Sequence, residues 1–216
     1  MMEEVAIARR ALPEGGLLKE DYLFDEMDAN GTVKQTRLSA LFAPARDSLV
    51  IYSFMFPRDP RDDRPPGKEG STSRLTLFES PCPSCVALLD QLDGAARHLS
   101  DQLNFAVVAK TSATNLAAFG TERGWRFLRL LSSSGTTFKR DYHGETADGV
   151  QRPMLNVFHR SNGAIRHFWS SELLNAPTEP GQEPRHVGTL EPLWNMFDLT
   201  REGRPPHWDE QLSYPE

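Results

Sequence analysis

The sequence predicts an α/β fold: a mixed central sheet flanked by helices, with an N-terminal hairpin extension and a C-terminal helix. Three observations carry this expectation. Ser48 to Phe56 is a nearly continuous apolar run, β-branched and aromatic, as for a strand covered on both faces. From Cys82 to Leu131, helical and strand-like segments alternate, the pattern of parallel strands joined by helical crossovers. Met154–His159 and Ala164–Trp169 then flank Ser161-Asn162-Gly163, an antiparallel hairpin signal.

Taken in order, Glu4 to Leu12 predicts a short helix stopped by Pro13 and Gly15-Gly16. Tyr22-Leu23-Phe24 and Thr32-Val33-Lys34 predict two strands around Asp28-Ala29-Asn30-Gly31, because Asn and Gly accept positive φ. Leu38, Leu41 and Phe42 suggest one turn of helix. After the central strand, Pro57 to Ser73 is rich in Arg, Asp, Pro and Gly, and reads as a mobile, solvated loop. Its run Arg61-Asp62-Asp63-Arg64 reads as solvated surface. Cys85, Leu89, Leu92, Ala96 and Leu99 recur at helical spacing. Asn104–Ala109 is a buried strand. Ser112 to Arg123 is a helix capped by Ser112 or Thr114 and ended by Gly124. Phe127 to Leu131 is a further short strand, residues 174–188 a Pro/Gly-rich loop, and Leu190 to Leu199 a last helix with Pro192 in its first turn.

Length and composition narrow the function. The chain has 216 residues, enough for one domain with extensions, and a net charge of −6. That charge argues against nucleic acid and anionic membranes as partners, since both need a dense cationic face. The acidic start has no apolar signal core, and no stretch approaches a membrane span, so the expected compartment is the cytoplasm. Two cysteines do not make a disulfide scaffold.

Their placement is more informative. Cys82-Pro83-Ser84-Cys85 opens the amphipathic helix that follows the most buried strand. At a helix start, unpaired N–H groups and the positive end of the dipole favour a thiolate at the first sulfur. The second sulfur lies one turn inward, able to close a disulfide with the first. Such a pair exchanges two electrons with a substrate disulfide through a mixed disulfide. Pro83 suits the first helical turn, where its missing N–H would be unpaired anyway. The alternatives are a buried pair of small hydrophobes and a metal site. The metal site lacks two further ligands at the right spacing among His98, His143, His159, His167, His186 and His207, so no metal and no other cofactor is expected. Pro153 stands directly before a strand. There, a cis-proline would bring the Arg152 backbone close to the first cysteine to bind an extended peptide, whereas an ordinary strand-opening proline would not. The calcium-loop hint at Asp28–Gly31 fails because Arg37 stands where a bidentate Glu is needed. Ser132–Thr137 is no phosphate loop.

The strand 49–56, the helix-opening Cys82–Cys85 and Pro153 before a hairpin resemble the thioredoxin superfamily. The leading hairpin and buried strand over 22–56 are more similar to its peroxiredoxin-like branch. More closely, the chain resembles the bacterial "domain of unknown function 899" family. The stretches that carry this are 8–13 (Ala-Arg-Arg-Ala-Leu-Pro), 19–24 (Lys-Glu-Asp-Tyr-Leu-Phe), 52–56 (Tyr-Ser-Phe-Met-Phe), Cys82–Cys85, 124–127 (Gly-Trp-Arg-Phe) and 133–135 (Ser-Ser-Gly). The resemblance implies one thioredoxin-like domain over 1–216, with an extension at 1–47, a core at 48–200 and a tail at 201–216. It implies a dithiol–disulfide oxidoreductase without a defined substrate. In that role Cys82 is the nucleophile, Cys85 resolves, and Pro83, Ser84, Arg152, Pro153 and Met154 line the groove for a protein or small-molecule disulfide. A non-catalytic binding module or redox sensor is the alternative. Trp194, Phe197 and Trp208 are the residues through which a homodimer would form, although packing against the domain is the simpler role.

The chain also departs from these patterns. Ser80-Pro81 stands where thioredoxins carry Trp before the first Cys, and 49–56 has no carboxylate to take the proton of Cys85. The peroxiredoxin Pro-x-x-x-Thr/Ser-x-x-Cys is missing, with Leu75 and Phe78 at the proline positions, which disfavours a peroxidase using that motif.

Overall fold

The apolar run is strand β4 (Ser48–Phe54), and it lies in the interior of an eight-stranded sheet. The computed structural model describes residues 2–171, 180 and 190–214. Helix α1 (Met2–Arg10) precedes strands β1 (Gly16–Leu17), β2 (Leu23–Met27) and β3 (Val33–Arg37). After β4 come helix α2 (Pro83–Leu99), β5 (Asn104–Ala109), α3 (Ala113–Arg123), β6 (Leu130–Ser132) and the one-turn α4 (Phe138–Asp141). Strands β7 (Met154–Ser161) and β8 (Ala164–Ser170) form the hairpin, and α5 (Pro192–Asp198) follows.

The sheet order is β1-β8-β7-β4-β5-β6-β2-β3. Strands β4, β5 and β6 are parallel neighbours, while β7 runs antiparallel to β4 and pairs with β8. This register positions the site. Ser53 pairs with Met154, so the end of β4 lies beside the start of β7, bringing the chain before Cys82 next to Pro153.

Period-two alternation sorts β4 and β5 between two cores. Tyr52, Phe54, Val107 and Ala109 face α2 and α3, meeting Leu88, Leu89, Leu116, Phe119 and both cysteines. Leu49, Ile51, Ala106 and Val108 face the other way. Both long helices contribute to the first core. The opposite face is covered by α4, the short 3-10 turn Leu38–Leu41, and an aromatic group of Tyr22, Phe24, Phe138, Tyr142 and Phe158. The predicted helices on both faces are therefore unequal.

Local signals behave as their chemistry dictates. Ser112 Oγ accepts the Asn115 N–H at 3.1 Å, capping α3, and Gly124 ends it at φ +77°, a left-handed conformation that glycine adopts without strain. Asp28 Oδ1 accepts the N–H groups of Asn30 and Thr32, so that segment is the β2–β3 turn.

Two expectations need correction. The strand predicted over 127–131 begins only at Leu130. The backbone N–H groups of Arg126, Phe127 and Leu128 all donate to Asp93 Oδ1, at 2.9, 2.8 and 3.1 Å, so a carboxylate on α2 takes the donors that a ladder would use. The loop 57–73 is not simply solvated: Arg58 and Thr72 are buried and Arg64 is largely so. The loop predicted over 174–188 lies outside the described residues, apart from Pro180.

Candidate active site

The two cysteines sit where β4 hands over to α2. Cys82 is the N-cap of α2 and Pro83 opens its first turn. The Cys82 N–H donates to the Met55 carbonyl at 2.9 Å, tying the cap to the end of the central strand. Its carbonyl accepts the Val86 N–H at 3.0 Å, the first α2 bond. Both cysteines are free thiols and both are buried, Cys82 to 2% exposure.

Their environments push the two thiols apart. Hydrogen bonding from the Cys85 thiol lowers the Cys82 pKa, opposed by burial and helped by the Cys85 backbone N–H and the Arg64 charge. Burial raises the Cys85 thiol, and the adjacent Cys82 raises it further. Tyr52, itself held neutral by burial, hydrogen-bonds Cys85 from β4. One sulfur is thus primed as a thiolate and the other kept as a thiol.

Arg64 is the residue that the sequence reading missed. Its guanidinium forks onto Asp62 at 2.8 and 2.9 Å, donates to Ser84 Oγ at 2.9 Å and to the Glu210 carbonyl at 3.2 Å, and places Nη2 3.8 Å from Cys82 Sγ. The run expected to be solvated surface therefore places a cation beside the Cys82 sulfur. Arg58 stands behind it, fully buried, with Nη1 donating to the Arg64 carbonyl at 2.6 Å and lying 3.8 Å from Asp62. No periodicity marks either arginine, because the loop is irregular and the groups that place Arg64 at the site, Ser84 and Glu210, are far away in sequence.

On the inner side, Lys139 at the start of α4 is buried and donates from Nζ to the Phe54 carbonyl at 2.8 Å. Burial pulls its pKa down to about 7, against the opposing influence of Cys85 and Glu145.

A cavity of about 610 Å³ opens over the sulfurs. It is lined by Cys82, Ser84, Cys85, Tyr52 and Pro153, by Arg64, and by Glu191, Trp194 and Glu210 from the C-terminal region. Of the residues singled out from sequence, Cys82, Ser84, Cys85 and Pro153 meet here. Pro83 is buried at the first turn of α2, and Met154 is buried opposite Ser53. Arg152 lines the adjoining cavity with Pro153, and its backbone N–H is already donated to the Gly144 carbonyl at 3.0 Å. The Arg152–Pro153 bond is trans; the cis bond among the described residues is Phe56–Pro57. Of the two alternatives at Pro153, the ordinary strand-opening proline is the one present.

Glu210 Oε2 accepts from Ser84 Oγ at 2.9 Å. Burial, then Glu210, pushes the Glu191 carboxyl up to about 8. His167, across the hairpin from Phe158, hydrogen-bonds Asn156 Oδ1 at 2.9 Å, a role in packing rather than ligation, and among the described residues no three His, Cys, Asp or Glu side chains gather as for a metal ion. No helix among the described residues is long and apolar enough to cross a membrane. The aromatic residues Trp194, Phe197 and Trp208 pack on one another, with ring centroids 5.5–5.9 Å apart.

Parallel strands β4 to β6, the antiparallel β7–β8 hairpin and a dithiol capping the first crossover helix define a thioredoxin-fold protein. The chain belongs to the family described as "Bacterial protein of unknown function (DUF899)", whose profile matches residues 1–214. No curated protein sequence matches it. Among solved structures it is similar to reduced Prx3 of Vibrio vulnificus in complex with hydrogen peroxide (TM-score 0.50, 15% identity, 83% of this chain and 99% of that one). It is also similar to reduced 2-Cys peroxiredoxin of Plasmodium vivax (0.49, 13%, 82% and 95%) and to the C84S mutant of Xanthomonas campestris peroxiredoxin Q (0.47, 15%, 74% and 83%). At these identities the likeness is one of fold.

Proposed function

We propose that the protein is a dithiol–disulfide oxidoreductase acting through Cys82 and Cys85. The observation that carries this is the asymmetry of the pair: Cys82, with its pKa lowered, stands 3.8 Å from Arg64, while Cys85 is held protonated one turn deeper. The Cys82 thiolate attacks one sulfur of a substrate disulfide, forming a mixed disulfide and expelling the first thiolate, which takes up a proton. Cys85 then gives its proton to a base and attacks Cys82 Sγ. The second thiolate leaves and the Cys82–Cys85 disulfide closes, so the dithiol has lost two electrons and the substrate has gained them. The base we assign to this step is Lys139, buried against the Phe54 carbonyl with its pKa pulled down to about 7.

The near-complete burial of Cys82 favours small substrates and gives a second reading some support. In that reading a peroxide meets the same thiolate: attack on the O–O bond gives a sulfenic acid and an alcohol or water, and Cys85 condenses with it, releasing water and the same disulfide.

The test measures oxidation of pre-reduced protein by small disulfides and by hydrogen peroxide. Wild type is expected to lose two thiols per molecule and Cys82→Ser none. Equal rates for the two proteins would remove the proposal, and oxidation by peroxide alone would favour the second reading.

A further inference from the structure

We propose that the cavity over Cys82 selects small disulfides that carry a positively charged amino group close to the sulfur. This rests on the exchange reading above and names the substrate class for that site.

The argument starts from access. A disulfide on a protein surface has to reach a nucleophile, and Cys82 is 2% exposed at the bottom of a cavity of about 610 Å³, within the size range of small-molecule sites. The charges lining that cavity are unequal. Arg61 is engaged by Asp59 at 2.8 Å and Arg64 by Asp62 at 2.8 Å. Glu191, Asp209 and Glu210 also line it, and among the described residues the cation recorded against them is the shared Arg64, at 3.8 Å from Glu210.

Two of these carboxyls are buried, Glu191 to 5% and Glu210 to 2% exposure. Among the described residues nothing donates to Glu210 Oε1. Gln91 hydrogen-bonds the Glu191 carboxyl and the Trp194 indole approaches it, but among the described residues Glu191 Oε2 and Trp194 Nε1 have no hydrogen-bond partner. A buried carboxylate oxygen without a donor costs free energy unless something brings one. Glu210 helps to raise the Glu191 carboxyl, and a cation beside the pair relieves that. Glu210 is also close to the reacting sulfur, because Ser84 Oγ and Arg64 each connect its carboxylate or its carbonyl to the Cys82 end of α2. An ammonium held there shares one cavity with the Cys82 sulfur. An anionic arm would meet the Glu210 carboxylate and be repelled.

Three disulfides of similar size and different charge test this: cystamine with ammonium arms, hydroxyethyl disulfide with neutral arms, and dithiodipropionate with carboxylate arms. Each is mixed with pre-reduced protein in single turnover. Each rate is divided by the rate of the same disulfide with free dithiothreitol, which removes differences in leaving group. The normalised rates are expected to fall from cystamine to the neutral probe to the anion, by about tenfold between the ends after solvent screening of the carboxylates. Glu210→Gln and, separately, Glu191→Gln are expected to shrink the cation-to-anion ratio at least severalfold, a readout internal to each variant.

Equal normalised rates for the three probes, or an unchanged ratio in both variants, would overturn the substrate class while leaving exchange itself standing. Faster oxidation by a folded protein disulfide than by cystamine would overturn it too. No oxidation by any disulfide would overturn the exchange reading, and this inference with it.

Discussion

Replacing Arg64 with Met keeps most of the stem that packs in the loop and removes the charge beside the nucleophile. Two unit charges about 4 Å apart interact by about 4 kcal/mol at an effective dielectric of 20, and Arg64 Nη2 lies 3.8 Å from Cys82 Sγ. Asp62 at 2.8 Å and Glu210 at 3.8 Å share the same guanidinium. If about a third of the attraction reaches the sulfur, the thiolate loses ~1.4 kcal/mol, a tenfold change in its population where protonation limits reaction. The assay is the pH profile of alkylation by iodoacetamide, a reagent small enough for the cavity. The midpoint is the readout, because the variant also alters access and hence amplitude. The profile of Arg64→Met is expected to move to higher pH, and that of Cys85→Ala to move further, since the Cys85 hydrogen bond is the larger influence. Superimposed profiles for wild type and Arg64→Met would refute the role assigned to the arginine.

Two other predictions concern the surroundings of the site. Asp93→Ala removes the acceptor of three backbone N–H groups from a largely buried position, so a loss of about 2–3 kcal/mol is expected in urea unfolding; a change under 0.5 kcal/mol would contradict the account of the α3–β6 connection. Lys139 has its folded pKa depressed from 10.5 to about 7, so between those values the unfolded chain binds more protons and stability rises with pH. Wild type is therefore expected to gain stability relative to Lys139→Met from pH 7 towards 10.5. The same variant is expected to lose the rise in mixed-disulfide resolution through pH 7, as read in stopped-flow single turnover; an unaltered profile would exclude Lys139 as the proton acceptor.

The parts of the fold that were legible in the sequence are those written in local periodicity. The run at 48–56, the helical spacing of Cys85, Leu89 and Ala96, and the hairpin around Asn162-Gly163 all lie in the elements expected of them. The reading failed where one side chain from a distant element overrides local preference. Asp93 shortens a strand more than thirty residues away, as its bonds to 126–128 require. The site divides in the same way. Cys82 and Cys85 announce themselves by spacing and by their address at a helix start. Arg64 is anonymous within a charged loop, and it acquires meaning only when Glu210, 146 residues further along, and Ser84 fix its guanidinium beside the sulfur. Lys139 was hidden for another reason, since nothing local distinguishes a buried lysine from the solvated kind.

The central claim is that Cys82 and Cys85 form a reversible two-electron couple. A redox titration of the protein in glutathione buffers, with free thiols counted at each point, tests it directly. Because Arg64 and the Cys85 hydrogen bond stabilise the reduced, thiolate-bearing form, one two-electron transition is expected, less reducing than the ~ −270 mV of thioredoxin and absent in Cys82→Ser. Thiols that stay reduced across the whole range of buffers, or a transition that survives Cys82→Ser, would contradict it.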